Sequence, residues 1–167
     1  AAVGDLNNDG HLDIVVGITR AEPYYEGAYV QVLINDGAGI LTDETSARFV
    51  NQDRAANHHG EGNIYLRDMN LDGALDIVHS TRDFLSSFHG AHVAINDGAG
   101  NFESLPNSIL PNRPDQGFNN TDALYKGLPI NADNLGCLDL ISTTDTWQDA
   151  RTQRNYLFSI LNTDCSF

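Results

Sequence analysis

Asp5-Leu6-Asn7-Asn8-Asp9-Gly10-His11-Leu12-Asp13 is the stretch from which the rest of the chain can be interpreted. Oxygen-bearing side chains occupy its first, third, fifth and ninth positions, and a glycine occupies its sixth. Ca²⁺ takes about six to eight oxygen ligands, and alternate residues of a tight turn can direct several carboxylates to one centre. Gly10 gives the backbone the freedom that a sharp bend requires. The stretch therefore predicts a loop that binds a hard cation.

The same nonamer returns twice at equal spacing. A second copy runs from Asp68 to Asp76, and a degenerate third copy runs from Asn131 to Asp139. The first residues of successive copies are 63 residues apart, from 5 to 68 and from 68 to 131. The first two copies are each followed by Asn-Asp-Gly-Ala-Gly, at 35–39 and 96–100, which is typical of a tight hairpin. The chain is therefore predicted to be a repeat array.

Short strands and turns fill the intervals between these loops. The apolar runs 12–18, 75–79 and 138–143 follow the three nonamers directly and lack helical spacing, so they predict buried strands. Four short strands in each cycle of about 60 residues are typical of a propeller blade. We therefore expect an all-β fold, a β-propeller segment of three consecutive four-stranded blades at 1–62, 63–124 and 125–167. The third blade is expected to lack its outer strand.

Composition excludes two classes of partner. The net charge is −14 and Lys plus Arg total 9, so a basic stripe for nucleic acid is not expected. No apolar run approaches the roughly 20 residues of a membrane-spanning helix. The two cysteines, Cys137 and Cys165, are compatible either with buried thiols or with a disulfide in an oxidising compartment.

With these loops, strands and hairpins placed, the chain resembles the FG-GAP/VCBS repeat family of calcium-binding β-propellers. This repeat type occurs in the heads of integrin α-subunits and in many secreted bacterial proteins. The matching residues are 4–17 and 68–78, together with the hairpins at 33–39 and 94–100. The resemblance implies that each nonamer joins the first and second strands of a blade. It also implies that Ca²⁺ is held by the side chains at positions one, three, five and nine and by the carbonyl of position seven.

Transferred residue by residue, the resemblance implies two complete calcium sites. The first comprises Asp5, Asn7, Asp9, Asp13 and the His11 carbonyl, and the second comprises Asp68, Asn70, Asp72, Asp76 and the Ala74 carbonyl. The third loop keeps Asn131, Asp133 and Asp139, but Leu135 cannot ligate a metal, so a weak site and a lost site both stay open. An EF-hand is excluded because its twelfth position requires glutamate, which none of the three loops has.

The family arrangement also predicts a disulfide and a binding rim. Nonamer and hairpin lie on one rim, so Cys137 and Cys165 are expected to clamp the third loop. The opposite rim carries the candidate ligand-binding residues, which are Tyr24, Tyr25, His58, His59, His79, Asp83 and Trp147. Its histidines match no recognised zinc or acid–base spacing, and ordinary polar loop residues are the simpler interpretation.

The expected function is that of a non-catalytic, extracellular, calcium-stabilised module that binds proteins, glycans or further copies of itself. The alternative is part of a propeller-fold glycan lyase or hydrolase with its site on the rim opposite the calcium loops. Three blades form an open arc, and propellers close with about four to eight blades. The arc is therefore expected either to continue in a longer chain or to associate with other copies in a homo-oligomer or fibre.

Overall fold

The computed structural model describes residues 1–19, 28–52, 58–59, 63–80, 82–83, 91–105, 123–145, 157–160, 162 and 164–165. These residues form thirteen strands: β1 Ala2–Gly4, β2 Asp13–Thr19, β3 Ala28–Asn35, β4 Leu41–Asp43, β5 His58–His59, β6 Ile64–Arg67, β7 Asp76–Ser80, β8 Arg82–Asp83, β9 Ala91–Asn96, β10 Phe102–Ser104, β11 Ala123–Ile130, β12 Asp139–Asp145 and β13 Leu157–Ile160. The one helix among the described residues is a single turn, α1 Thr45–Arg48. The predicted all-β class is confirmed.

The strands form three antiparallel sheets, and the first two have four strands each. The first sheet has the order β1-β2-β3-β4, so each strand pairs with the next one in the chain. The second has the order β10-β9-β7-β6 and omits the short strand β8. In both sheets the strand that follows the nonamer lies in the interior. Neither sheet closes on itself, and the assembly of the sheets as propeller blades stays a prediction.

The third sheet differs from the expected pattern because it recruits two short strands from earlier in the chain. Its order is β13-β12-β11-β8-β5. His58, His59 and Asp83 were expected among the loop residues of the binding rim. Their backbones lie in two short strands instead, which pair in the register His58↔Asp83 and His59↔Arg82. Strand β11 then pairs with β8. This pairing gives hydrogen-bond partners to backbone N–H and C=O groups along the edge of β11. The partner strands are distant in sequence, so local sequence patterns do not predict the pairing.

Two apolar clusters pack the sheets against one another. The first joins Leu6, Val15 and Val32 of the first sheet to Ile77 and Phe102 of the second. A smaller cluster joins Met69, Val78 and Val93 of the second sheet to Leu140 of the third. Each interface uses the residue at the second position of the preceding nonamer, Leu6 or Met69, and both are fully buried. The loops are therefore anchored by the packing between sheets. No helix among the described residues is long and apolar enough to cross a membrane.

Candidate functional site

All three nonamers fold into the same backbone shape. The fourth residue of each has a positive φ, at 59° for Asn8, 61° for Leu71 and 62° for Asn134. The sixth residue is always a glycine, with φ of 87° at Gly10 and 108° at Gly136. A positive φ is rare for a bulky residue such as leucine, so the surrounding contacts must impose it. The loop shape thus survives in the third copy although its ligand set does not.

Side chains at the first and third positions of the first loop accept hydrogen bonds from one backbone amide, that of the fifth residue. The Asp9 N–H donates to Asp5 Oδ1 at 3.1 Å and to Asn7 Oδ1 at 3.3 Å. The Gly10 N–H donates to Asp5 Oδ2 at 2.8 Å, and Asn7 Nδ2 donates to Asp9 Oδ2 at 2.9 Å. These exposed oxygens therefore lie together on the solvent side of the loop.

The second loop repeats this network atom for atom. The Asp72 N–H donates to Asp68 Oδ1 at 3.1 Å and to Asn70 Oδ1 at 3.2 Å, and the Gly73 N–H donates to Asp68 Oδ2 at 2.9 Å. Asn70 Nδ2 donates to Asp72 Oδ2 at 2.9 Å. Because the same oxygen cluster forms in both loops, we attribute it to the shared sequence pattern and not to the surroundings of one loop.

The third loop keeps only part of this network. Asp133 Oδ1 accepts a hydrogen bond from the Leu135 N–H at 3.0 Å. Leu135 is 66% exposed and brings no oxygen to the position that Asp9 and Asp72 fill. A solvent-exposed leucine on a polar loop has no packing role there, which agrees with a degraded ligand set.

The ninth aspartate has a role that sequence reasoning did not identify. In the first loop Asp13 Oδ2 accepts from the Leu6 N–H and Asp13 Oδ1 accepts from the Asn35 N–H, both at 2.9 Å. Asp76 and Asp139 make the same pair of bonds in their own sheets. All three aspartates are fully buried. Each therefore ties its nonamer to the hairpin of the same sheet, whether or not the loop keeps its other ligands.

Electrostatics differ between the exposed and buried carboxylates. The hydrogen bond from the His11 N–H, with that from Asn7, lowers the pKa of Asp9, so this group is ionised at neutral pH. Burial raises the pKa of Asp76 to about 6, and the charges of Asp72 and Asp68 add to this shift, against the opposing effect of the two amide hydrogen bonds. The neighbouring negative charges thus disfavour the ionised form of Asp76, and a cation bound nearby would favour that form.

The donor chemistry of the first two loops fits Ca²⁺. Every oxygen-bearing side chain of the pattern is a hard ligand, and the two hydrogen bonds to Asp13 leave a lone pair on each of its oxygens. In the part of the chain that the structure describes, however, no three acidic, histidine or cysteine side chains already stand close enough to hold an ion. The fit therefore rests on the ligand types and on their repetition.

Asn96 and Asn162, at the second and third hairpins, fasten neighbouring sheets together, a contact that the sequence pattern alone did not predict. Asn96 is fully buried, and its Nδ2 donates to Leu6 O of the first loop at 2.8 Å and to Leu75 O at 3.0 Å. Its Oδ1 accepts from the Gly98 and Gly100 amides. Asn162 repeats the contact by donating to Met69 O of the second loop at 3.1 Å. The recurrence of asparagine just before each hairpin was the available signal.

The predicted disulfide is present. Cys137, at the seventh position of the third loop, is bonded to Cys165, with the two Cα atoms 5.3 Å apart. It joins this loop to the turn that follows β13, and Cys137 is buried. The third loop thus has a covalent clamp where the other two keep the full set of metal-ligand types.

The structure describes little of the predicted binding rim. Tyr24, Tyr25 and Trp147 lie outside the described residues. His79 was expected on an exposed rim, but it is 3% exposed and its Nε2 lies 3.1 Å from where a Cβ on Gly17 would stand. The missing side chain of Gly17 leaves space for the imidazole between the first two sheets. His79 is therefore buried between the first two sheets, and its part in a ligand rim stays a prediction.

Residues 5–79 match a family model described as an FG-GAP-like repeat. This segment contains the first two nonamers and the first hairpin. No solved structure matches the chain.

Proposed function

We propose that this chain, whose residues 5–79 match the FG-GAP-like repeat family, is a non-catalytic binding module stabilised by calcium. FG-GAP repeats are compatible with a propeller-like module for binding. The observation that carries the proposal is the duplicated oxygen cluster of the first two loops, built from identical hydrogen bonds at identical positions.

In this proposal each of the first two loops binds one Ca²⁺. The first ion is held by Asp5, Asn7, Asp9, Asp13 and the carbonyl of His11, and the second by Asp68, Asn70, Asp72, Asp76 and the carbonyl of Ala74. The ion supplies positive charge to a loop whose carboxylates otherwise repel one another. It also couples the exposed side chains to the buried ninth aspartate, and so to the hairpin. Calcium thereby makes the nonamer end of the first two sheets more rigid.

The proposed location is extracellular and the proposed ligand is a protein or a glycan. A disulfide persists in oxidising compartments, and the Cys137–Cys165 bond supports such a location. Free calcium is plentiful outside cells, where weak repeated sites can be filled. The ligand would bind on the rim opposite the nonamers, where loops over a rigid scaffold commonly bind.

Thermal unfolding with and without calcium tests the proposal. Calcium at about a hundredfold excess over its Kd stabilises the folded state by about 2.7 kcal/mol per site. For a chain of this size we expect Tm to rise by about 5–10 °C per filled site relative to EDTA. The same Tm in calcium and in EDTA would refute the proposal.

Two alanine variants locate the effect. Asp72→Ala removes one carboxylate from the oxygen cluster of the second loop. This variant should therefore lose about half of the calcium-dependent rise in Tm. Asp133→Ala is the matched control, because the third loop already lacks a ligand at Leu135, and it should keep nearly the whole rise. A larger loss in Asp133→Ala than in Asp72→Ala would show that the calcium loops are wrongly assigned.

A further inference from the structure

The first two loops have the same ligand types, so a difference in their calcium affinity must come from their surroundings. Both have aspartate at the first, fifth and ninth positions and asparagine at the third. Their side-chain hydrogen bonds also match position by position. One neighbour of the first loop, Arg48 of helix α1, carries a positive charge, and its position is fixed by the fold.

Helix α1 holds Arg48 at the junction of the first two sheets. Thr45 is buried, and its Oγ1 accepts a hydrogen bond from the Val32 N–H at 2.8 Å, which ties the helix to the first sheet. Phe49, which follows the helix, is also buried, and its ring centroid lies 5.9 Å from that of Phe102 in the second sheet. Packing on both sides therefore sets the position of the arginine between them.

The guanidinium of Arg48 joins this helix to the second hairpin. Its Nε lies 2.7 Å from Glu44 Oε2, and its Nη1 donates to Ala99 O at 2.8 Å. The side chain of Arg48 is 18% exposed. Charge-assisted hydrogen bonds to two separate partners fix the location of the charge more closely than one exposed ion pair would.

The same guanidinium lies beside the ligand cluster of the first loop. A Cβ on Gly100 would stand 2.9 Å from Arg48 Nη1 and 3.2 Å from Asn7 Cβ, so the two side chains flank one point. Gly100 is buried with a φ of 82°, and its lack of a side chain leaves that point open. The hydrogen bonds from His11 and Asn7 have the largest lowering effects on the pKa of Asp9, and the charge of Arg48 adds to them.

The second loop has a different environment. At the same distance after the second hairpin, the sequence has the uncharged residue Ile109 where Arg48 follows the first hairpin. Arg67 directly precedes the second nonamer, but its Nη1 donates to Leu66 O of its own strand at 2.7 Å. The two loops thus match in their ligands and differ in the cation held beside them.

We infer that Arg48 makes the two calcium loops unequal, so that the second loop fills at a lower calcium concentration than the first. The inference rests on the proposed calcium binding and adds an order of filling to it. A fixed positive charge compensates part of the negative charge of the empty first loop and repels an incoming divalent cation. Across a partly exposed site, we expect the Kd of the first loop to exceed that of the second by about threefold to tenfold.

Titration of each loop by itself tests the inference. Asp72→Ala leaves the first loop intact and Asp9→Ala leaves the second, and calcium is titrated calorimetrically into each metal-free protein at about pH 8, where histidine is mostly neutral. The first loop should show the higher Kd. Adding Arg48→Gln to the Asp72→Ala variant should remove most of the difference, and adding it to the Asp9→Ala variant should leave the Kd unchanged. Equal Kd values for the two loops, or a difference that survives Arg48→Gln, would overturn the inference.

Further measurements separate the charge of Arg48 from its contacts. Arg48→Lys keeps the charge, so the difference in Kd should persist, and Glu44→Gln removes the paired acid, so the Kd of the first loop should rise. In about 1 M salt, where the Debye length is about 3 Å, the difference should shrink to about twofold or less. A difference abolished by Arg48→Lys, a fall in Kd with Glu44→Gln, or a difference unaffected by salt would overturn the role of the charge.

A control variant and the binding heat itself distinguish this inference from the proposed function. Arg67→Gln removes an equal charge next to the second loop and should not narrow the difference in Kd; narrowing as large as that caused by Arg48→Gln would contradict the assignment to Arg48. Two loops that bind calcium with equal affinity would overturn the order of filling alone. Absence of calcium binding by either loop would overturn the proposed function together with it.

Discussion

Replacing Asp76 by alanine should lower the free energy of unfolding by about 2–4 kcal/mol in EDTA. The substitution leaves the buried N–H groups of Met69 and Asn96 without their acceptor, at about 1–3 kcal/mol each. Removing a buried charge whose pKa is already raised to about 6 offsets part of that cost. Urea unfolding measures the difference, and EDTA ensures that lost metal binding does not contribute.

Asp72→Ala is the matched control for this prediction. Asp72 lies in the same loop, but its carboxylate is exposed and accepts hydrogen bonds from Asn70 Nδ2 and the Ala74 N–H. Exposed groups can exchange such bonds for bonds to water, so this variant should cost about 1 kcal/mol or less in EDTA. Equal losses for the two variants would mean that the ninth aspartate does not anchor the loop.

Reduction of the Cys137–Cys165 disulfide should cost about 3–4 kcal/mol. The bond closes a segment with a sequence separation of 28 residues, and the chain-entropy account assigns this order of stabilisation to a loop of such length. Hydrogen exchange should report the loss mainly in β11 and β12, and much less in β2, because the clamp lies in the third sheet.

A Cys137→Ser, Cys165→Ser double variant controls for side reactions of the reductant and should lose the same stability. Alkylation of the unreduced protein should find no reactive thiol. Two alkylated cysteines in unreduced protein, or equal unfolding free energies with and without reductant, would show that the clamp is absent or without effect.

The repeated loops and most of the strands could be predicted from the sequence because their determinants are local. The alternation of oxygen-bearing residues around Gly10 and Gly73 fixes both the ligand pattern and the bend. The β-branched runs that follow are strands β2, β7 and β12, each placed within about two residues. The hairpins of the first two sheets also appear where their Asn-Asp-Gly-Ala-Gly sequences predicted.

The contacts between distant segments could not be predicted in the same way. Pairing of β5 and β8 with β11 depends on edge groups that only the folded chain brings together. Burial of His79 depends on the absent side chain of Gly17 in another sheet. The second role of Asp76, as acceptor for an amide 20 residues further along the chain, is invisible in a ligand pattern.

Isothermal titration of calcium into EDTA-stripped protein tests the central claim most directly. We expect a binding heat that saturates at about two ions per chain, because two of the three loops keep the full ligand set. A variant that combines Asp9→Ala with Asp72→Ala should lose nearly all of that heat while remaining folded by circular dichroism. Absence of any heat in the unmodified protein, or an unchanged titration in the double variant, would contradict the claim that these loops bind calcium.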